Sequence, residues 1–135
     1  MGRSLLILVD THVVVWLAFD EARISKQAGS AILKARENGG GLAISDISLF
    51  ELARVFNRER LGLASSVESA LAEVERRFAV LPITGQISLR TLSLPEAYPK
   101  DPVDRIIGAT ALVEGIPLIT ADREIRNSGA LPTIW

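Results

Sequence analysis

The sequence predicts an α/β fold, a small parallel β-sheet flanked by helices in one domain spanning residues 1–135, and three observations carry that prediction. Short apolar runs without polar alternation, LLILV at 5–9, GLAIS at 41–45 and PLIT at 117–120, read as strands covered on both faces, the mark of a parallel sheet. Amphipathic stretches long enough to be crossover helices separate them. Three of the runs exit on a hydroxyl beside an aspartate, as VDTH at 9–12, ISD at 44–46 and ITAD at 119–122. Ligands of parallel sheets gather outside the carboxyl ends of the strands.

The elements follow in order. After the first strand, VVVWLA has the length of a short helix, and Ser25 is placed to cap a second helix from Lys26 to about Asn38, closed by Gly39, Gly40 and Gly41. The strand GLAIS leads through Ser45 and Asp46 into a helix from about Ile47 to Arg58. Residues 66–77 are amphipathic and helical in pattern. AVLPI at 79–83 is a short strand that Pro82 confines to a sheet edge or a strand end. A short helix is expected from Gln86 to Leu94, then the proline-dense loop PEAYPKDP at 95–102. Pro102 begins a helix that runs to Glu114 and stops at Gly115 and Pro117. A helical turn after Asp122 and a final strand in LPTIW complete the chain.

Composition removes several kinds of chemistry. With no cysteine, disulfides, thiolate zinc sites and cysteine nucleophiles are excluded, and one histidine, His12, cannot supply a paired acid and base or a multi-histidine metal site. The net charge of -1 gives no overall electrostatic pull toward nucleic acid, so any such binding must be local. Only Arg3 precedes the first apolar run, which lacks a small-residue cleavage site and is far shorter than a membrane span; a cytoplasmic protein without membrane attachment is expected.

Asp10, alone, fits a helix cap as well as a functional carboxylate. Glu51 lies about one and a half turns into its helix at ~3.6 residues per turn, and could equally be solvated. Capping explains Asp101 fully, with Pro102 at the first helical position; Asp104 fits the same helix start but could also project over the sheet edge, where Gly108, Ala109 and Ala111 allow close packing. Carboxylates sharing one cleft repel and raise one another's pKa unless a cation is bound. Oxygen donors without cysteine or a histidine cluster suit a hard ion, Mg²⁺ or Mn²⁺, which keeps waters that can attack a phosphodiester.

Those residues, in LVDTHVVVW, SLFELARV, DPVDRIIGATAL and GIPLITADREI, resemble PIN-domain ribonucleases, and within them the VapC-type toxins of toxin–antitoxin pairs. The similarity spans nearly the whole chain in the family's order. It implies that Asp10, Glu51, Asp104 and Asp122 are the metal-binding catalytic acids, that Asp101 matches a frequently acidic position, and that Thr11, Ser45 and Thr120 supply small hydroxyls near the metal. It further implies a Mg²⁺- or Mn²⁺-dependent endoribonuclease acting on transfer or ribosomal RNA, homodimeric, and neutralised by a cognate VapB-type antitoxin. Arg105 and Arg123, each following a proposed ligand, are candidate RNA contacts, and Arg54, Arg58 and Arg60 lie near Glu51. His12 could touch a phosphate or serve the first helical turn. LFELARVFNRERLGL has more apolar residues than one buried face needs, which suits a dimer seam or an antitoxin groove.

Other readings fit less well. A phosphoacceptor domain wants an acidic pair near the N-terminus and a strand-end lysine, whereas Lys100 sits in a loop; a haloacid-dehalogenase phosphatase wants D-x-D where DTH stands. A noncatalytic PIN-like RNA-binding or scaffold module remains the alternative, and the complete acid set argues against it.

Overall fold

The computed structural model describes residues 6–59 and 66–135. Its strands are β1 (Ile7–Val9), β2 (Leu42–Ser45), β3 (Ala79–Leu81), β4 (Leu118–Ile119) and β5 (Thr133–Ile134). The helices are α1 (Thr11–Phe19), α2 (Lys26–Glu37), α3 (Asp46–Arg58), α4 (Val67–Arg77), α5 (Gly85–Arg90), α6 (Pro102–Glu114) and α7 (Arg123–Asn127). Each of them opens on a Ser, Thr or Asp whose side chain accepts a backbone N–H of the first turn, which satisfies donors that the helix itself leaves over. Gly115, at φ +68°, ends α6 in the left-handed conformation that a side chain would resist.

The five strands form one all-parallel sheet in the order β3-β2-β1-β4-β5. Pro82 stops β3 at the sheet edge, as its missing N–H requires. Consecutive strand residues serve different cores. Val9, Ile44 and Ile119 pack with Val13, Val14, Ile32, Leu52 and Phe56 under α1 to α4, whereas Leu8, Ala43 and Leu118 pack with Tyr98, Ile107, Ala111 and Ile125 under α6 and α7. Both faces are therefore covered, which is why these strands carry no polar alternation.

From β1 the chain moves to β2 and β3 on one side, then crosses to β4 and β5 on the other. The direction reverses between β1 and β4, so their carboxyl ends form the crevice where open α/β sheets bind ligands.

Two local expectations are refined. The helix expected over Gln86–Leu94 divides into α5 and a 3₁₀ turn at Thr91–Ser93, where the Thr91 and Ser93 hydroxyls donate to the carbonyls of Ser88 and Arg90 and tighten the backbone. A second 3₁₀ turn, Glu21–Arg23, had no sequence signal. Leu5, Arg60, Leu61 and Leu63 lie outside the described residues. Among the described residues no helix is long and apolar enough to cross a membrane.

Candidate active site

Asp10 follows β1 directly, and the sheet register, continued by two residues toward β2 and by one toward β4, sets it level with Ser45 and Thr120. Its N–H donates to the Ile119 carbonyl at 3.0 Å. The carboxylate is 3% exposed and accepts from the Thr11 N–H at 2.9 Å and from the Thr120 hydroxyl at 2.7 Å. His12 Nδ1 stands 3.3 Å from the same carboxylate, while His12 Nε2 accepts the Ala121 N–H at 3.2 Å. An accepting Nε2 leaves Nδ1 to carry the ring proton toward Asp10. Burial still pushes the Asp10 pKa upward, against the lowering effects of His12, Thr120 and Thr11.

Thr120 joins two acids. Its hydroxyl donates to Asp10 and accepts the Asp122 N–H at 3.1 Å, so the T-x-D spacing in ITAD ties the end of β4 to the end of β1. Asp122 caps α7 through the Ile125 N–H at 3.1 Å.

Glu51 comes from α3 and is half-buried. Burial raises its pKa most; the Thr11 hydroxyl favours its anion, and Asp10 and Asp101 oppose it. Thr11 Oγ1 lies 2.8 Å from the buried Ser48 Oγ. Either of these hydroxyls can donate to the other, so the pair ties α1 to α3 beside Glu51. Ser48 had no sequence signal, because a serine inside an amphipathic helix looks solvated until its partner 37 residues away is known.

Asp104 is half-buried one turn into α6, and its pKa is pushed up to about 7 by burial, then by the charges of Asp10, Asp101, Asp122 and Glu51. Asp10, Glu51 and Asp104 line one cleft of about 330 Å³ with Thr11, His12, Trp16, Arg58 and Glu59. Asp122 and Asp101 act on this cleft through their charge without lining it. Among the described residues no three Asp, Glu or His side chains are grouped closely enough to hold a metal ion as placed. The arginine and lysine ion pairs found there engage Glu73 and Glu96 instead. The cleft is thus a set of mutually repelling oxygen donors without a paired Lys or Arg, and its chemistry fits a hard divalent cation.

The remaining candidates divide. Ser45 is buried at the end of β2 and spends its hydroxyl on the Ile47 N–H as the α3 cap. The exposed Asp101 caps α6 through the Asp104 N–H. Arg105 Nη1 donates to the Thr91 carbonyl at 3.0 Å, which anchors α6 to the turn after α5; Arg123 is exposed beside Asp122. A larger hollow of about 550 Å³ beside α1 and α4 has two acids, Glu21 and Glu73, the second already bridged by Arg76 and Arg77, so it lacks the converging set.

A family model for the PIN domain matches residues 7–130, and with them every acid of the cleft. The chain belongs to the PIN-domain family. This PIN domain is 38% identical over 121 residues to Ribonuclease VapC22 of Mycobacterium tuberculosis, covering 90% of each chain. Its fold is shared with VapBC2 from Rickettsia felis, solved bound to a DNA fragment from the promoter, at a TM-score of 0.74 and 16% identity over 96% of this chain and 97% of that one. VapBC-1 from nontypeable Haemophilus influenzae matches at a TM-score of 0.68 and 20% identity over 96% of both chains.

Two aspartates of α6 should separate by role in this PIN domain. Asp101→Ala removes an exposed cap and is expected to cost about 1 kcal/mol of stability. Asp104→Asn is expected to do the opposite above neutral pH. A carboxyl whose pKa is about 7 when folded and 3.8 otherwise contributes stability that is complete below about pH 4 and is lost as the pH rises through about 7. In chelator, the wild type should therefore weaken from pH 4 to 8, and Asp104→Asn should weaken less. Urea unfolding across that range checks both variants.

Proposed function

We propose that this PIN domain is a divalent-metal-dependent endoribonuclease and the toxin of a VapBC-type pair, with Asp10, Glu51, Asp104 and Asp122 holding Mg²⁺ or Mn²⁺. The observation that carries the reading is the convergence of Asp10, Glu51 and Asp104 on one cleft at the topological switch point, where no Lys or Arg is paired to them among the described residues and burial and mutual charge hold their pKa values up. The 38% identity to a ribonuclease supports RNA as substrate, and the family resemblance implies transfer or ribosomal RNA as the target. When bound, the cation supplies Lewis-acid activation of water and neutralises charge on the phosphodiester.

The chain's own residues prepare that site. Thr120 and Thr11 hold the Asp10 carboxylate in position before substrate arrives, so little reorganisation is left for the reaction itself. The N-terminal ends of α1 and α7, which open on Asp10 and Asp122, set positive helix ends toward the acids and offset part of their repulsion. Arg123 is the better candidate for a phosphate contact; Arg105 would reach one only with the N–H groups that Thr91 leaves over.

A VapB-type antitoxin as partner, a homodimer and a cytoplasmic location complete the proposal. Phe50 on α3 is 60% exposed, and Leu89 and Leu92 after β3 are 69% and 80% exposed, apolar surface that an interface would cover. The solved relatives named as VapBC support the kind of partner.

Cation binding should stabilise the fold by relieving like-charge repulsion and by mass action on the native state. Millimolar Mn²⁺ or Mg²⁺ is expected to raise the melting temperature of the wild type, and to raise it less in Glu51→Gln. Equal shifts in the two proteins would reject these acids as the site.

A further inference from the structure

We infer that Trp16, with Trp135 beside it, is a subsite for one nucleotide next to the acidic cleft, the base stacking on the indole in place of the exposed Arg23 and a neighbouring phosphate drawing the guanidinium. The identity of the polymer rests on the ribonuclease reading above. A cleft lined by Asp10, Glu51 and Asp104 repels a polyanion, so affinity must come from groups outside the acid set. Stacking is suited to that task because the π-face of a base carries no net charge.

The geometry is assembled from distant parts of the chain. Trp16 lines the cleft itself and belongs to neither hydrophobic core. Its ring lies 4.9 Å from that of His12, which neighbours Asp10, and 5.8 Å from that of Trp135. The Arg23 guanidinium carbon sits 4.3 Å from the Trp16 ring centroid. Arg23 is exposed and, among the described residues, has no carboxylate within salt-bridge distance. The 3₁₀ turn Glu21–Arg23 thus delivers an unneutralised cation to the aromatic wall of the cleft. Trp135 is packed against the core beneath α1 and backs Trp16 with a fixed wall.

The test is binding of a short fluorescein-labelled single-stranded RNA, followed by anisotropy in chelator so that no cleavage occurs, with cleavage in Mn²⁺ measured separately. Trp16→Leu is expected to weaken binding about tenfold, the scale of one base stack, while Trp16→Phe keeps most of the affinity. Arg23→Gln, a surface change that provides the readout even if Trp16→Leu is unstable, is expected to reduce the slope of log K against log salt by about 0.7, one phosphate contact on a single strand. A perfectly paired duplex of the same sequence, whose bases are already stacked, should bind Trp16→Leu as it binds wild type. Unchanged single-strand binding by Trp16→Leu with an unchanged salt slope for Arg23→Gln would overturn the subsite, and so would equal losses for duplex and single strand. Cleavage that persists beside such a failure leaves the ribonuclease reading standing; Trp16-dependent binding without cleavage in any divalent ion removes that reading and leaves the subsite.

Discussion

Asp10→Asn should lower RNA cleavage at least about a thousandfold, the kinetic equivalent of roughly 4 kcal/mol, because a charged oxygen donor is lost where the cation must be held. The fold should survive. Asparagine can still accept the Thr11 N–H, but its amide nitrogen then faces donors that the carboxylate oxygen satisfied, among them Thr120 and His12. Against that loss stands the removal of a buried charge whose desolvation already works against folding. These effects oppose each other, so the change in stability should be small beside the change in rate. If Asp10 served only to cap α1, activity and stability would both be nearly unchanged. Comparing initial rates of the two folded proteins on one RNA decides between these outcomes.

Among the glycines whose surroundings are described, Gly108→Ala should be the most damaging addition of a methyl. A Cβ at that position would lie 2.3 Å from the Tyr98 hydroxyl oxygen and 2.6 Å from Cζ, and Tyr98 is 1% exposed, with little room to retreat. Its hydroxyl also donates to the Asp104 carbonyl at 2.6 Å, pinning the proline-rich loop to the first turn of α6. Overpacking of this kind costs roughly 1–3 kcal/mol, and loss of the hydrogen bond about 1 more. A drop of about 10 °C in melting temperature is expected for a domain of this size. Activity should fall further than unfolding explains, because Asp104 rides on the displaced turn. The double variant Gly108→Ala with Tyr98→Leu should recover part of the loss, the coupling expected of residues in contact. Additive effects would show that the two do not meet.

What could be read from the sequence was local. Apolar runs located the strands, Ser25 and Asp101 marked helix starts, Pro82 marked the sheet edge, and the Thr-x-Asp spacing tied Thr120 to Asp122. The choice between cap and functional acid that the sequence poses at Asp10 is not exclusive, and Asp101 and Asp122 share its geometry. Each of them accepts a backbone N–H at a helix start, and capping consumes only part of a carboxylate's acceptor capacity. A strand that runs straight into a helix needs a capping oxygen at the very edge where a parallel sheet binds ligands, so one residue type meets both demands.

What stayed hidden was long-range. Ser48 meets Thr11, His12 meets the Ala121 N–H, and Trp16 meets Trp135 only after the sheet has brought β1, β2, β4 and β5 together. Nothing in the periodicity of α3 distinguishes a serine that bonds across to α1 from one that faces solvent. Likewise Tyr98 sits in a loop by composition, and only the absent side chain of Gly108 reveals that this loop is part of the core.

The most direct test is to map RNA ends. The purified chain, free of any partner, would be incubated with total cellular RNA in Mn²⁺ and in chelator, and the new 5′ ends sequenced. The acid cluster at the β1 and β4 strand ends should yield a small set of discrete cleavage sites that appear with the divalent ion and vanish in chelator. Ends that are the same with and without the ion, or no new ends in Mn²⁺ or Mg²⁺, would contradict a metal-dependent ribonuclease built on Asp10, Glu51, Asp104 and Asp122.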